Sequence, residues 1–258
     1  MPDPFEPIDY PARPAGPGAS EPARTIALDG PASSGKSTIG RLLAERLGYL
    51  FFDTGAMYRA VTWAAQQQGI PLDTAEPLTT LAETLPVQIR QPLPTDTDGR
   101  AYSVFVGDQD VTWAIRRPEV EASVSRVSAW PGVRQALVAQ QRKVAAAVGL
   151  PDGPPGIVMA GRDIGTVVLP DAGRKIYLDA SAEERARRRY LEQQGRPGAL
   201  GYEQTLDELV RRDHIDSTRE VSPLRAAPDA IRIVTDGLSV AEVLDRVLTA
   251  VGAGPSAG

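Results

Sequence analysis

The nine residues Gly30-Pro31-Ala32-Ser33-Ser34-Gly35-Lys36-Ser37-Thr38 have the types and spacing needed to hold a chain of phosphates. Glycines at both ends let the backbone fold around an anion. Successive N–H groups then point inward, and a helix starting at Lys36 adds partial positive charge where the oxygens sit. In such a loop the lysine, Lys36, reaches the β- and γ-phosphates, and Ser37 offers its hydroxyl to Mg²⁺. The flanks agree: the apolar run Thr25-Ile26-Ala27-Leu28 reads as a strand, and Ile39, Leu42, Leu43 and Leu47 recur at helical spacing up to Gly48. A Gly-rich turn could meet this pattern by accident. The chain has only three lysines, however, and chance would place one here in well under about 1% of such chains.

A triphosphate site serves switches, motors and kinases alike. A guanine-specific switch needs an Asn-Lys-x-Asp element, and this chain has no asparagine. Motors and large ATPases carry further domains for which 258 residues leave little room. A small-molecule kinase remains. If its acceptor is itself a phosphate, two polyanions must meet, and bidentate arginines are the side chains suited to grip them. Arginines follow at intervals: Arg59, Arg134, Arg162, Arg185, Arg188, Arg189, Arg212 and Arg219. Arg185, Arg188 and Arg189 share a helix face, where like charges repel unless an ATP phosphate lies between them or Glu183, Glu184 and Glu192 relieve them. Arg212, Asp216 and Arg219 fall on another face, as phosphate grips or as a plain salt-bridge ladder. His214 points elsewhere and reads as an ordinary surface or packing residue.

The elements that must position these groups alternate. Short apolar strands are expected at residues 25–28, 49–52, 157–160, 175–178 and 231–234. Helices are expected at 36–47, 57–68, 119–148 (broken at Pro131-Gly132), 181–194 and 202–219. This pattern predicts an α/β phosphate-binding-loop fold, a parallel sheet wrapped by helices with ligands at its carboxyl edge. Residues 87–89 and 102–106, separated by turn residues, read as an antiparallel insertion. The last helix pair, joined by Gly195-Arg196-Pro197-Gly198-Ala199-Leu200-Gly201, suits a helical lid. Residues 1–23 and 251–258 are expected to be disordered tails. Between them lies one domain, 24–250, with a monophosphate-binding insertion at about 54–148 and the lid at about 181–220.

Net charge is −5, so no electrostatic footprint for nucleic acid is present. Cysteine is absent and histidine occurs once, which removes disulfides, thiolate nucleophiles and multi-histidine metal sites. No apolar run approaches the roughly 18 residues that span a bilayer, and the N-terminus has no charged-then-apolar leader. A soluble, cytoplasmic, monomeric protein is expected.

Four segments then carry a resemblance. Residues 29–38, 47–60, 161–172 and 176–189 (Asp-Gly-Pro-Ala-Ser-Ser-Gly-Lys-Ser-Thr, Leu-Gly-Tyr-Leu-Phe-Phe-Asp-Thr-Gly-Ala-Met-Tyr-Arg-Ala, Gly-Arg-Asp-Ile-Gly-Thr-Val-Val-Leu-Pro-Asp-Ala and Ile-Tyr-Leu-Asp-Ala-Ser-Ala-Glu-Glu-Arg-Ala-Arg-Arg-Arg) resemble bacterial cytidylate kinases. Arg212-Asp213, Asp216, Arg219 and Ser222-Pro223-Leu224 extend the match. The resemblance implies ATP-dependent, Mg²⁺-assisted phosphorylation of CMP and dCMP. It implies that Thr54, Tyr58 and Arg59 face the monophosphate, that Ser125, Arg134 and Asp163 hydrogen-bond the cytosine, and that Arg162 contacts the acceptor phosphate. Arg212 and Asp216 would reach the ribose, Arg219 the phosphate or base, and Arg185, Arg188 and Arg189 would cover ATP. One position departs: the family usually has an acidic residue where this chain has Ala160. Metal binding would then fall to Ser37, phosphate oxygens and Asp29 or Asp163. Alternatives are a kinase for UMP, AMP or a shikimate-like acceptor, or a nucleotide-binding regulator without turnover.

Overall fold

The computed structural model describes residues 23–195 and 199–253. The expected tails at 1–22 and 254–258 and the hairpin tip at 196–198 lie outside the described residues. Five parallel strands form the central sheet: β1 (Thr25–Asp29), β2 (Leu50–Asp53), β6 (Ile157–Gly161), β7 (Arg174–Asp179) and β8 (Ile231–Val234), in the order β2-β6-β1-β7-β8. Strands β1, β2 and β6 are buried almost throughout, which is why they read as continuous apolar runs without alternation. The register sets Asp29 opposite Gly161 and Asp53 opposite Ala160, so both carboxylates stand at the carboxyl edge.

The connecting helices begin and end on local signals. Helix α1 (Lys36–Leu47) starts after Gly35 at φ 91° and stops at Gly48, whose left-handed conformation (φ 66°) lets its N–H close on Ala44 and Glu45. Asp53 caps α2 (Thr54–Gln67) by accepting from Gly55 N at 2.9 Å. Prolines open α4 (Pro118–Ser128) and α5 (Pro131–Ala146), where a missing N–H costs nothing. A second, antiparallel sheet of β3 (Val87–Arg90), β4 (Ser103–Val106) and β5 (Gln109–Asp110) forms the expected insertion.

Among the described residues five elements lie beyond the sequence-based expectation: β5, α3 (Ala75–Thr84), a 3₁₀ turn at Ala114–Arg116, a π-turn at Ile164–Val168, and α8 (Val240–Ala250). The Ser239–Glu242 capping box that starts α8 is a legible signal. The chain also stays packed beyond residue 250: Val251 is fully buried and the Ala253 N–H bonds Leu248. One apolar core runs from Leu28, Ile157 and Met159 in the sheet through Ala60 of α2 into Leu78, Val133 and Leu137 of the insertion. By contrast α6 (Ala182–Gln193) and α7 (Tyr202–Thr218) pack through a separate small cluster, Ala186 and Leu209 against Ala32 of the phosphate loop.

Candidate active site

A cavity of about 810 Å³ opens at the carboxyl edge of the sheet, between the phosphate loop, the insertion and the α6–α7 hairpin. Its floor is the loop Ala32–Thr38. Gly30 is required by a close approach: a Cβ there would sit 2.1 Å from the Leu178 carbonyl oxygen of β7. Lys36 is buried, and its ammonium folds back on the Pro31 carbonyl and on Ser34 Oγ at 3.2 Å. Burial, then the nearby Arg162 guanidinium, push the Lys36 amine well below its usual range.

Arginines converge opposite the loop. Arg162 donates to Asp216 at 3.1 Å, and Arg219 lies 3.5 Å from the other Asp216 oxygen. Arg212 is held at about 10 by burial first and Arg162 second, and Arg219 is lowered by burial and Arg134. Arg212 Nε, Arg219 Nη2, Arg134 Nε and Arg59 Nε are buried donors with no hydrogen-bond partner. Buried cations gathered around one cavity, with donors unspent, describe a site completed by a polyanion.

On the insertion side Arg134 is 2% exposed. It pairs with Asp163 at 2.6 Å, donates to the Ser128 carbonyl at 3.2 Å, and stacks over Tyr58 with 5.2 Å to the ring centre. Thr54 donates to the Ala160 carbonyl at 2.9 Å, tying the ends of β2 and β6 together. Of the residues expected from the sequence, Lys36, Ser37, Thr38, Thr54, Tyr58, Arg59, Arg134, Arg162, Asp163, Arg188, Arg189, Arg212, Asp216 and Arg219 line this cavity together.

Other expected residues are placed differently. Arg185 is absent from the wall, its guanidinium spent on the Ala180 carbonyl at 3.0 Å, the Ala32 carbonyl at 3.2 Å and Asp213 at 2.6 Å. It braces the hairpin's root on the phosphate loop. Arg188 reaches the wall, but its donors go to Glu184 and to Thr235 in the β8–α8 loop. Arg189 pairs with Glu121 of α4, across the mouth of the cavity. Repulsion along α6 is therefore relieved in part by Glu184, and no shared anion between the three arginines is needed. Ser125 is buried inside α4, whose Val124 and Ser128 face the cavity instead. Asp29, offered as a metal ligand, does not line the cavity, and its two oxygens accept the backbone N–H groups of Ile164 at 2.8 Å and Gly165 at 2.7 Å. Asp163 lines the cavity, paired with Arg134.

The carboxylate that Ser37 meets is Asp53, to which the sequence analysis gave no role. Asp53 Oδ2 accepts from Ser37 Oγ at 3.3 Å, Tyr102 OH at 2.6 Å and Arg59 at 3.3 Å. Burial alone would raise its carboxyl, but Arg59, the Tyr102 hydroxyl and Arg116 outweigh that and hold it at about 2. Arg116 itself lies over the Tyr102 ring at 5.0 Å. Because Asp53 is the register partner of Ala160, the acidic group missing from β6 has a neighbour on β2. Among the described residues no cluster of three or more His, Cys, Asp or Glu could hold a metal unaided. Mg²⁺ needs none, since it is typically bound by one or two carboxylates together with substrate phosphates.

The chain is similar to known proteins along most of its length. The sequence model of the cytidylate kinase family matches residues 26–253. The chain is 50% identical over 226 residues to the cytidylate kinase of Chloroflexus aggregans, covering 87% of this chain and 92% of that one. It is 47% identical over 228 residues to that of Herpetosiphon aurantiacus, covering 88% and 94%. With the Bacillus subtilis cytidylate kinase it shares 45% identity over 227 residues, covering 88% and 96%.

Proposed function

Because this chain belongs to the cytidylate kinase family and phosphorylates CMP with ATP as donor, we propose a division of labour within its cavity. The triphosphate lies in the loop of residues 30–38, with Lys36 on its β- and γ-phosphates. CMP lies against the insertion, its phosphate toward Thr54, Arg59 and Arg162 and its base toward Arg134 and Asp163. Arg212, Asp216 and Arg219 take the ribose and the rest of the phosphate. A guanidinium beside a carboxylate presents donors and an acceptor together, matching the ring carbonyl and exocyclic amine of cytosine. The same pocket accepts dCMP. Ser37 and Asp53 would hold Mg²⁺, which would supply neutralisation of phosphate charge.

In the reaction an ionised oxygen of the CMP phosphate bonds to the γ-phosphorus while the bond from that phosphorus to the β,γ-bridging oxygen breaks, leaving ADP. No side chain need remove a proton, since the attacking oxygen is already ionised at neutral pH. The chain's contribution is alignment and charge, and the α6–α7 hairpin excludes water as competing acceptor. We place this monomeric enzyme in the cytoplasm, with its nucleotide substrates.

The observation that carries this reading is the convergence of Lys36, Arg59, Arg134, Arg162, Arg212 and Arg219 on one cavity, with buried guanidinium nitrogens of Arg59, Arg134, Arg212 and Arg219 left unpaired among the described residues. A coupled ADP-release assay across CMP, dCMP, UMP, AMP and shikimate tests it. CMP and dCMP should give the highest kcat/KM, and a preference for AMP or shikimate would overturn it.

A further inference from the structure

Asp29 sits at the end of β1, one residue before the phosphate loop. It is 3% exposed and does not line the cavity. Its carboxylate spans 135 positions of sequence to meet the N–H groups of Ile164 and Gly165. Those are the first amides of the π-turn Ile164–Val168, where helical turns have no internal acceptor for their N–H groups. The two residues just before them are Arg162 and Asp163, which face the cavity and pair with Asp216 and Arg134. Burial raises the Asp29 carboxyl to about 6 despite both amides, so the group is held there against its solvation preference.

We propose that Asp29 is a positioning residue for the acceptor nucleotide. By capping the π-turn from the neighbouring strand, it fixes the backbone that aims Arg162 and Asp163 at CMP. The argument rests on the assignment of Arg162 and Asp163 to CMP made above. A carboxylate is needed because two donors converge on one side chain. The two oxygens of Asp29 accept both, whereas an asparagine would turn its own NH₂ toward one of them. The approach is close: a Cβ at Gly165 would lie 3.1 Å from Lys175 Cδ and 3.3 Å from Asp29 Oδ2, so even a methyl group there presses on the same carboxylate.

The test is Asp29→Asn, with Asp163→Ala as reference. Misaiming by an ångström costs up to about 100-fold, so the CMP KM of Asp29→Asn should rise about tenfold or more, with the ATP KM changing by less than about threefold. Amide hydrogen exchange should quicken at Ile164 and Gly165 but not across β1 and β6. Equal changes in both KM values, an unchanged CMP KM, or exchange quickened throughout the sheet would each overturn the proposal. If Asp163→Ala leaves the CMP KM unchanged, the assignment of the base site fails and the inference fails with it. If Asp163→Ala raises that KM and Asp29→Asn does not, only the inference fails. Should Asp29→Asn not fold, Gly165→Ala displaces the same acceptor without altering charge and carries the same expectation.

Discussion

Arg134→Ala removes the cation from a pair that is almost completely out of water. Arg134 is 2% and Asp163 4% exposed, and 2.6 Å separates them. Deleting one partner leaves Asp163 as a buried, uncompensated carboxylate, at a cost of about 3–5 kcal/mol. Loss of the stacking on Tyr58 adds about 0.5–2 kcal/mol. For a chain of this size each kcal/mol moves Tm by about 2–4 °C, so the ion pair alone corresponds to a fall of about 6–20 °C. Deleting a charged hydrogen bond to the base costs about 1.5–3 kcal/mol, a CMP KM increase of about 10- to 150-fold, while the ATP KM stays near its starting value. The double variant Arg134→Met, Asp163→Leu separates the two effects, because a well-packed apolar pair often matches a buried ion pair in stability. It should recover most of the lost Tm and none of the CMP affinity. Differential scanning fluorimetry and steady-state kinetics read these quantities. A Tm drop under about 3 °C for Arg134→Ala would refute the reasoning on stability, and equal loss toward ATP and CMP would refute the placement at the base.

Lys36→Ala should lose at least about 100-fold in kcat, as expected when a preorganised charge at the transition state is removed. Its Tm should not fall, since the ammonium it deletes is desolvated and depressed in the free chain. Turnover within threefold of the parent, by the coupled assay, would contradict the loop assignment. Ala160→Asp places a second carboxylate beside Asp53 and should shift the Mg²⁺ dependence of the rate to lower concentration; superimposable titrations would show that position 160 has no part in metal binding here. Asp53→Asn tests linkage. The Asp53 carboxyl is lowered from 3.8 to about 2 in the folded chain, so its stabilisation, about 2 kcal/mol, is complete above pH 3.8 and lost as pH falls through 2. Urea unfolding should therefore separate parent and variant at pH 7 and bring them together near pH 2, and a constant difference would be inconsistent with that shift. The raised Asp29 group acts oppositely in both proteins, its contribution complete below pH 3.8 and lost as pH rises through about 6.

The phosphate loop, the strand before it and the helix after it were legible in the sequence, because glycine spacing, a lysine and helical periodicity are short-range facts that need no partner. So were the five parallel strands, β1, β2 and β6 as near-continuous apolar runs and β7 and β8 as shorter apolar stretches interrupted by charge, and the identity of most cavity arginines through the resemblance. Helix α3 and strand β5 were not: α3 buries only Leu78, Leu81 and Ala82, and β5 is two exposed residues, so neither has a pattern strong enough to read. Which arginine serves which purpose was also hidden. Arg185, Arg188 and Arg189 look alike on a helical wheel, but one braces the phosphate loop, one binds the β8–α8 loop and one meets Glu121. The same holds for Asp29 and Asp53, whose partners lie far along the chain at Ile164 and Tyr102. Local rules govern which segments fold into which elements. The register of β1, β2 and β6 decides which carboxylate caps a turn, which sits by Ser37 and which arginines are left with donors to spare, because hydrogen bonds between distant segments exist only once the sheet has brought those segments within 3 Å or so of each other.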